Sequence, residues 1–169
     1  MNIKMAAGLL MLLGFSLVGH SEMVYNVVTA QLGGPDYAPV RGDFDGDGKI
    51  DPTVYNESSG DWFALLSSNG YVLVAARLGG PGWNAVEGDF DGDGRSDPAV
   101  YRSSDGLWYV SLSGSGYTTM SASGFGAPGY LPVAGDYEGS GKSDLALYRP
   151  SSGNWFLLRG EETEVMDTN

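Results

Sequence analysis

An internal repeat constrains this chain more than any other feature. GDFDGDGKID (42–51), GDFDGDGRSD (88–97) and GDYEGSGKSD (135–144) place Asp43, Asp89 and Asp136 at successive spacings of 46 and 47 residues. Trp62, Trp108 and Trp155 keep the same steps, as do Tyr37, Trp83 and Tyr130 and the strings LGGP (32–35), LGGP (78–81) and FGAP (125–128). Several separate landmarks on one period rule out chance. A period of this length marks units that cannot bury an apolar face alone and must pack on a neighbour.

Within a repeat the pattern is β throughout. PVRGDF, DPTVYN, DWFALLSS and YVLVAARL are short runs rich in Val, Tyr, Phe and Trp, separated by Gly, Ser, Asn and Asp. Tight turns such as ESSGD and SSNG join them into an antiparallel meander, and helical periodicity is missing beyond the N-terminal apolar run. Four strands in such a unit match one propeller blade. The expectation is an all-β chain of three four-stranded, propeller-like repeats at about 33–78, 79–124 and 125–169.

The ends of the array raise a second expectation. VYNVVTAQL (24–32) reads as a strand ahead of the first repeat, while EETEVMDTN closes the third. That tail either makes a poor, acidic fourth strand or leaves a place for 24–32 to fill, in the same chain or in another. Closed propellers use about four to eight blades. Three blades therefore predict a homo-oligomer or filament, built by strand exchange or blade packing.

Residues 1–21 have the layout of a signal peptide: Lys4, an apolar run from Met5 to Val18, then Gly19 and Ser21. The run is shorter than the roughly 20 residues of a membrane span. The expected product is a secreted β-repeat domain, 22–169, with no membrane attachment after cleavage. The one His, His20, falls in the leader, and there is no Cys. This excludes disulfides, thiolate or imidazole zinc sites and His-based catalysis from the expected mature chain. A net charge of −12, from 21 acidic and 9 basic residues, disfavours nucleic acid as a partner.

The acidity is local. Asp43, Asp45, Asp47, Asp51, Asp89, Asp91, Asp93, Asp97, Asp136, Glu138 and Asp144 supply 11 of the 21 acidic residues, all in the three loops. DxDxDG sets side-chain oxygens at positions 1, 3 and 5, with Gly at 6 for the sharp turn, and a hard oxygen set of this kind selects calcium. An EF-hand needs Glu at position 12, where this chain has Val54, Val100 and Leu147. Asp at position 9 offers a different fourth carboxylate, and the backbone carbonyl at position 7 (Lys49, Arg95, Lys142) offers another oxygen. Two calcium sites follow: Asp43, Asp45, Asp47, Lys49 and Asp51; then Asp89, Asp91, Asp93, Arg95 and Asp97. The third loop (Asp136, Glu138, Ser140, Lys142, Asp144) has lost a charge and lengthened an arm, so weaker binding or none is expected. With the loop carboxylates so engaged, no pair is left for acid–base chemistry, and the chain does not read as an enzyme.

DFDGDGKID, preceded by a Gly-Pro loop and followed by DPTVY and a Trp strand, resembles the FG-GAP (VCBS) repeat over residues 32 to 160. That resemblance implies blades like those of integrin α-subunit propellers and of many secreted bacterial proteins. It also implies calcium held in the loop between strands and a structural or adhesive role. The blade count, three rather than about seven, departs from the closed integrin form.

Adjacent strand residues face opposite ways. Of Trp62 and Phe63, Trp108 and Tyr109, and Trp155 and Phe156, one should fill the core and the other face the neighbouring blade. Tyr37, Trp83 and Tyr130 lie in Gly-Pro loops. They are expected to pack or to make subunit contacts; the alternative is stacking on a sugar ring in a calcium-dependent carbohydrate-binding module, with an extracellular glycan or surface as partner. Arg41-Gly42-Asp43 spells RGD, but a carboxylate claimed by the loop is not free for presentation to a partner.

Overall fold

The computed structural model describes the backbone of residues 30–159 and 162–166. The expected leader and residues 24–29 of the expected leading strand lie outside these. Residues 30–32 carry no strand, so the described end of 24–32 does not follow the expectation.

Among the described residues the chain is all-β, with twelve strands in three four-stranded antiparallel sheets. The first sheet is β1 (Ala38–Val40), β2 (Thr53–Asn56), β3 (Asp61–Leu66) and β4 (Val72–Arg77), paired in that order. The second is β5 (Asn84–Gly88), β6 (Asp97–Arg102), β7 (Leu107–Leu112) and β8 (Thr118–Ala122). The third is β9 (Leu131–Pro132), β10 (Leu145–Arg149), β11 (Asn154–Arg159) and β12 (Glu162–Met166). Each acidic loop joins the first strand of its sheet to the second. In the first two sheets a single 3-10 turn, Ser67–Asn69 or Ser113–Ser115, joins the third strand to the fourth.

β12 decides between the two expectations for the tail, in favour of an acidic fourth strand. The acidic tail pairs with β11 from Trp155↔Met166 to Arg159↔Glu162 and takes the fourth place itself. A strand donated by another copy has no opening there. Antiparallel register explains this: five consecutive pairs satisfy the backbone of β11 whatever the low β-propensity of the glutamates.

The sheets stack face to face through side chains that alternate along each strand. Tyr55, Trp62 and Ala64 of the first sheet, with Phe44, pack on Trp83, Val100 and Tyr109 of the second. On the opposite face of the second sheet, Tyr101, Trp108 and Val110 pack on Leu145, Leu147 and Phe156 of the third. β6 is buried from Asp97 to Tyr101 because both faces of the middle sheet are covered. Trp62 and Trp108 thus point toward the next sheet, and Tyr109 and Phe156 toward the preceding one. Across both boundaries the indole donates onward: Trp62 Nε1–H to the Leu78 carbonyl (3.3 Å) and Trp108 Nε1–H to that of Phe125 (3.1 Å).

Candidate metal loops

In the first loop, Asp43 gathers the turn around its carboxylate. Oδ1 accepts the N–H of Gly46 (2.7 Å) and Asp47 (3.2 Å), and Oδ2 accepts that of Gly48 (2.7 Å). Gly46 and Gly48 sit at φ +78° and +84°, a left-handed backbone that residues with a Cβ rarely adopt. The second loop repeats the pattern: Asp89 accepts from Gly92 (2.6 Å), Asp93 (3.2 Å) and Gly94 (2.8 Å).

The remaining carboxylates reach across to the 3-10 turn of the same sheet. Asp45 Oδ2 accepts both the N–H (2.9 Å) and the hydroxyl (2.7 Å) of Ser68, and Asp47 Oδ2 accepts the Ser67 hydroxyl at 3.0 Å. In the second sheet Asp91 Oδ2 accepts the Gly114 N–H (2.9 Å), and Asp93 Oδ2 the Ser113 hydroxyl (3.0 Å). The Ser68 hydroxyl and N–H hold the Asp45 carboxyl below its ordinary range. Lys49, whose ammonium lies 2.6 Å from Asp47 Oδ2, does the same for Asp47. Charge-assisted hydrogen bonds of this kind favour the ionised form.

Asp at position 9 has a role that spacing alone did not disclose. Asp51 and Asp97 are each 0 % exposed. Asp51 Oδ2 accepts the Phe44 N–H (2.8 Å) and Oδ1 the Ser67 N–H (2.7 Å); Asp97 does so with Phe90 (2.8 Å) and Ser113 (2.6 Å). Each clamps the start of its loop to the 3-10 turn. Burial nonetheless pushes the Asp97 carboxyl above its ordinary value, because desolvation outweighs the two N–H bonds.

Three carboxylates of each of the first two loops converge. Asp43, Asp45 and Asp51 each offer an oxygen within 4.8 Å of the others, and so do Asp89, Asp91 and Asp93. These two groups could hold a metal ion. Opposite ligands about a calcium ion lie roughly 4.6–5.2 Å apart, twice the usual Ca–O distance, so the span suits one. In the first loop Asp43 Oδ2, Asp45 Oδ1 and each oxygen of Asp51 accept a single N–H, which leaves a second lone pair on each for a cation. Asp47 and Asp97 fall outside the two converging groups, the first facing Lys49 and Ser67, the second acting as clamp.

The third loop keeps the turn and loses the convergence. Asp136 accepts from Ser140 (2.9 Å) and Gly141 (2.8 Å), and Asp144 from Tyr137 (3.0 Å). Ser140 Oγ accepts the Lys142 N–H at 3.3 Å, where Asp47 and Asp93 accept that of Lys49 and Arg95 at 2.9 Å. Glu138 is exposed, and the third loop forms no comparable carboxylate group among the described residues.

The loop aromatics are engaged in packing. Trp83 is buried, with the Tyr109 ring on it at 5.1 Å and the Arg102 guanidinium 4.5 Å from its centroid. Tyr37 packs on Phe63 (5.8 Å), and Tyr130 on Phe156 (5.3 Å) with Arg149 at 5.5 Å. Asp61 and Asp105 of the hairpin turns pair with Arg77 and Arg102 at 2.9 and 2.6 Å.

Sequence reasoning missed Ser67, Ser68, Ser113 and Gly114 as partners of the acidic loops. A signal was present: Ser67 and Ser113 each lie 16 residues beyond the position-9 Asp of their repeat. In comparisons with known protein families, curated proteins and solved structures, nothing matched the chain.

Proposed function

We propose that this chain is a secreted structural or adhesive repeat protein, built from propeller-like blades whose acidic loops are braced by calcium. Asp43, Asp45 and Asp51, and Asp89, Asp91 and Asp93, would hold the ions, with the carbonyls of Lys49 and Arg95 within the same loops. The ion supplies positive charge where carboxylates otherwise repel, and so links folding stability to calcium.

The observation that carries this reading is the closure of each loop onto its own sheet through Asp51–Ser67 and Asp97–Ser113. A cation there tightens strand connections at the edge of a blade. The carboxylates are turned toward backbone and serine groups rather than toward a shared cleft, which favours architecture over chemistry.

Self-association follows from the end sheets. Tyr37, Val54 and Phe63 of the first repeat occupy the positions that, in the second and third, pack on a preceding sheet. Tyr137, Tyr148 and Trp155 form a ring cluster on the third sheet, at the positions of Phe44, Tyr55 and Trp62. Face-to-face packing between copies would extend the stack, in an open filament or a closed ring. With β12 in place, this route replaces strand exchange.

Thermal unfolding in calcium, magnesium and chelator tests the brace. Calcium at about 100 times its dissociation constant should add about 2.7 kcal/mol per site. An unchanged unfolding temperature removes the calcium reading. Light scattering in calcium tests assembly: mass should rise with concentration, and a strict monomer at high concentration refutes it.

A further inference from the structure

Consecutive acidic loops are joined to one another. The Ser96 N–H, at position 8 of the second loop, donates to the Asp43 carbonyl at 2.6 Å, and the Asp43 N–H donates back to Ser96 Oγ at 3.0 Å. Ser143, at position 8 of the third loop, donates its N–H to the Asp89 carbonyl, also at 2.6 Å. The contact is close on both sides. A Cβ on Gly42 would stand 3.0 Å from Ser96 Cβ, and one on Gly88 would stand 2.7 Å from Ser143 Oγ. Glycine before position 1 makes room for the aromatic ring two residues on and, at Gly42 and Gly88, also for the serine of the following repeat.

The first loop supplies an internal contrast. No acidic loop precedes it among the described residues, and its position 8 is Ile50, 50 % exposed, instead of serine. Its position-7 cation, Lys49, folds onto Asp47 of its own loop. Arg95 and Lys142, by comparison, lie over the preceding loop, their Cγ atoms 3.1 and 3.0 Å from where Cβ atoms on Gly46 and Gly92 would be. Serine at position 8 occurs where there is a preceding loop to meet.

We propose that Ser96 and Ser143 are latches through which the order of one acidic loop is passed to the loop before it. The covalent path is short. Ser96 lies between Arg95, at position 7 of the second loop, and Asp97, the clamp of that loop. Fixing residues 95–97 therefore fixes the partner of both backbone groups of Asp43, whose carboxylate holds Gly46, Asp47 and Gly48 in place. The third loop, though degenerate, orders the second through Ser143. Coupling of this kind needs two sites that share an element both can bias, and the serine-containing segment is that element.

Amide hydrogen exchange of the full chain in chelator tests the latch. Ser96→Ala should speed exchange at Gly46, Asp47 and Gly48 by about 3- to 10-fold, the effect of one lost hydrogen bond. Gly88→Ala, which displaces Ser143, should do the same at Gly92, Asp93 and Gly94. Far-UV circular dichroism verifies that both variants remain folded. Exchange in the preceding loop that matches wild type in both overturns the proposal. A calcium arm rests on the reading of the loops as calcium sites. Disabling the second loop with Asp91→Asn and Asp93→Asn should weaken calcium binding to the first by about 5-fold or more, read by calorimetry. Undiminished affinity of the first loop overturns the coupling while leaving calcium binding intact. Absence of calcium uptake by wild type refutes the calcium reading, and the chelator arm still decides the latch.

Discussion

Asp97 Oδ1 accepts the N–H of Ser113 at 2.6 Å, while the other oxygen of the same carboxylate accepts that of Phe90 at 2.8 Å. One buried side chain thus satisfies two backbone donors that lie on opposite sides of the second sheet's connection. Asp97→Ala leaves both donors without an acceptor and opens a small cavity. An expected loss of about 2–4 kcal/mol follows, because a buried unpaired donor costs about 1–3 kcal/mol. Asp51→Ala should behave alike, and Asp144→Ala should lose less, since that carboxylate is only half-buried. Urea unfolding in chelator measures all three; equal losses in the three variants would refute the clamp.

Acid separates two classes of carboxylate. Asp45, Asp47, Asp61, Asp105 and Asp136 lie below the ordinary value of 3.8, held there by hydrogen bonds and, for Asp47, Asp61 and Asp105, by a neighbouring cation. Their contribution to stability is complete above 3.8 and is lost as pH falls through their lowered values. Burial raises Asp97 above 3.8 and Glu87 above 4.5, so these two have the opposite sign. For them the folded state binds the proton more tightly, and stability rises as pH falls through the raised values toward the ordinary ones. In chelator the urea midpoint should therefore climb slightly on acidification and then drop below about pH 3.8. A midpoint that only falls from neutrality would contradict this assignment.

Much of this architecture was legible in the chain. The 46-residue period placed the acidic loops, and alternation around Trp62, Trp108 and Trp155 placed the residues that pack between sheets. The role of Asp51 and Asp97 was not legible, because spacing indicates that a carboxylate can turn inward but not which N–H it meets. Ser67 and Ser113 lie in turns whose composition suits any hairpin, so their link to the loops emerges only when β3 and β7 bring them alongside. The tail left two outcomes open for a related reason. Glutamates lower strand propensity, yet register with β11 decides the outcome for Glu162–Met166.

The third loop should be repairable. Ser140 already accepts the backbone N–H that Asp47 and Asp93 accept in their loops, so the backbone frame is in place. Glu138→Asp with Ser140→Asp shortens one arm and restores one carboxylate. Calorimetry should then register one more calcium ion per chain than wild type. Unchanged stoichiometry would place the defect in the backbone of residues 136–144 rather than in its donor set.

The three equivalent tryptophans should differ in a defined order. Trp108 is fully buried between the second and third sheets and hydrogen-bonded to Phe125, so Trp108→Ala should cost about 3–5 kcal/mol. Trp62→Ala should approach that value, since its ring is 3 % exposed and donates to Leu78. Trp155 is half-buried against Tyr137 and Tyr148, and no further sheet covers it among the described residues. Its replacement by Ala should cost the isolated chain roughly half as much, because less apolar surface leaves water on folding. If copies stack through this face, Trp155→Ala should also abolish assembly in light scattering at concentrations where wild type associates. Trp155→Ala assembling like wild type would exclude the third sheet as the contact and leave only the first sheet's Tyr37–Phe63 face to carry it.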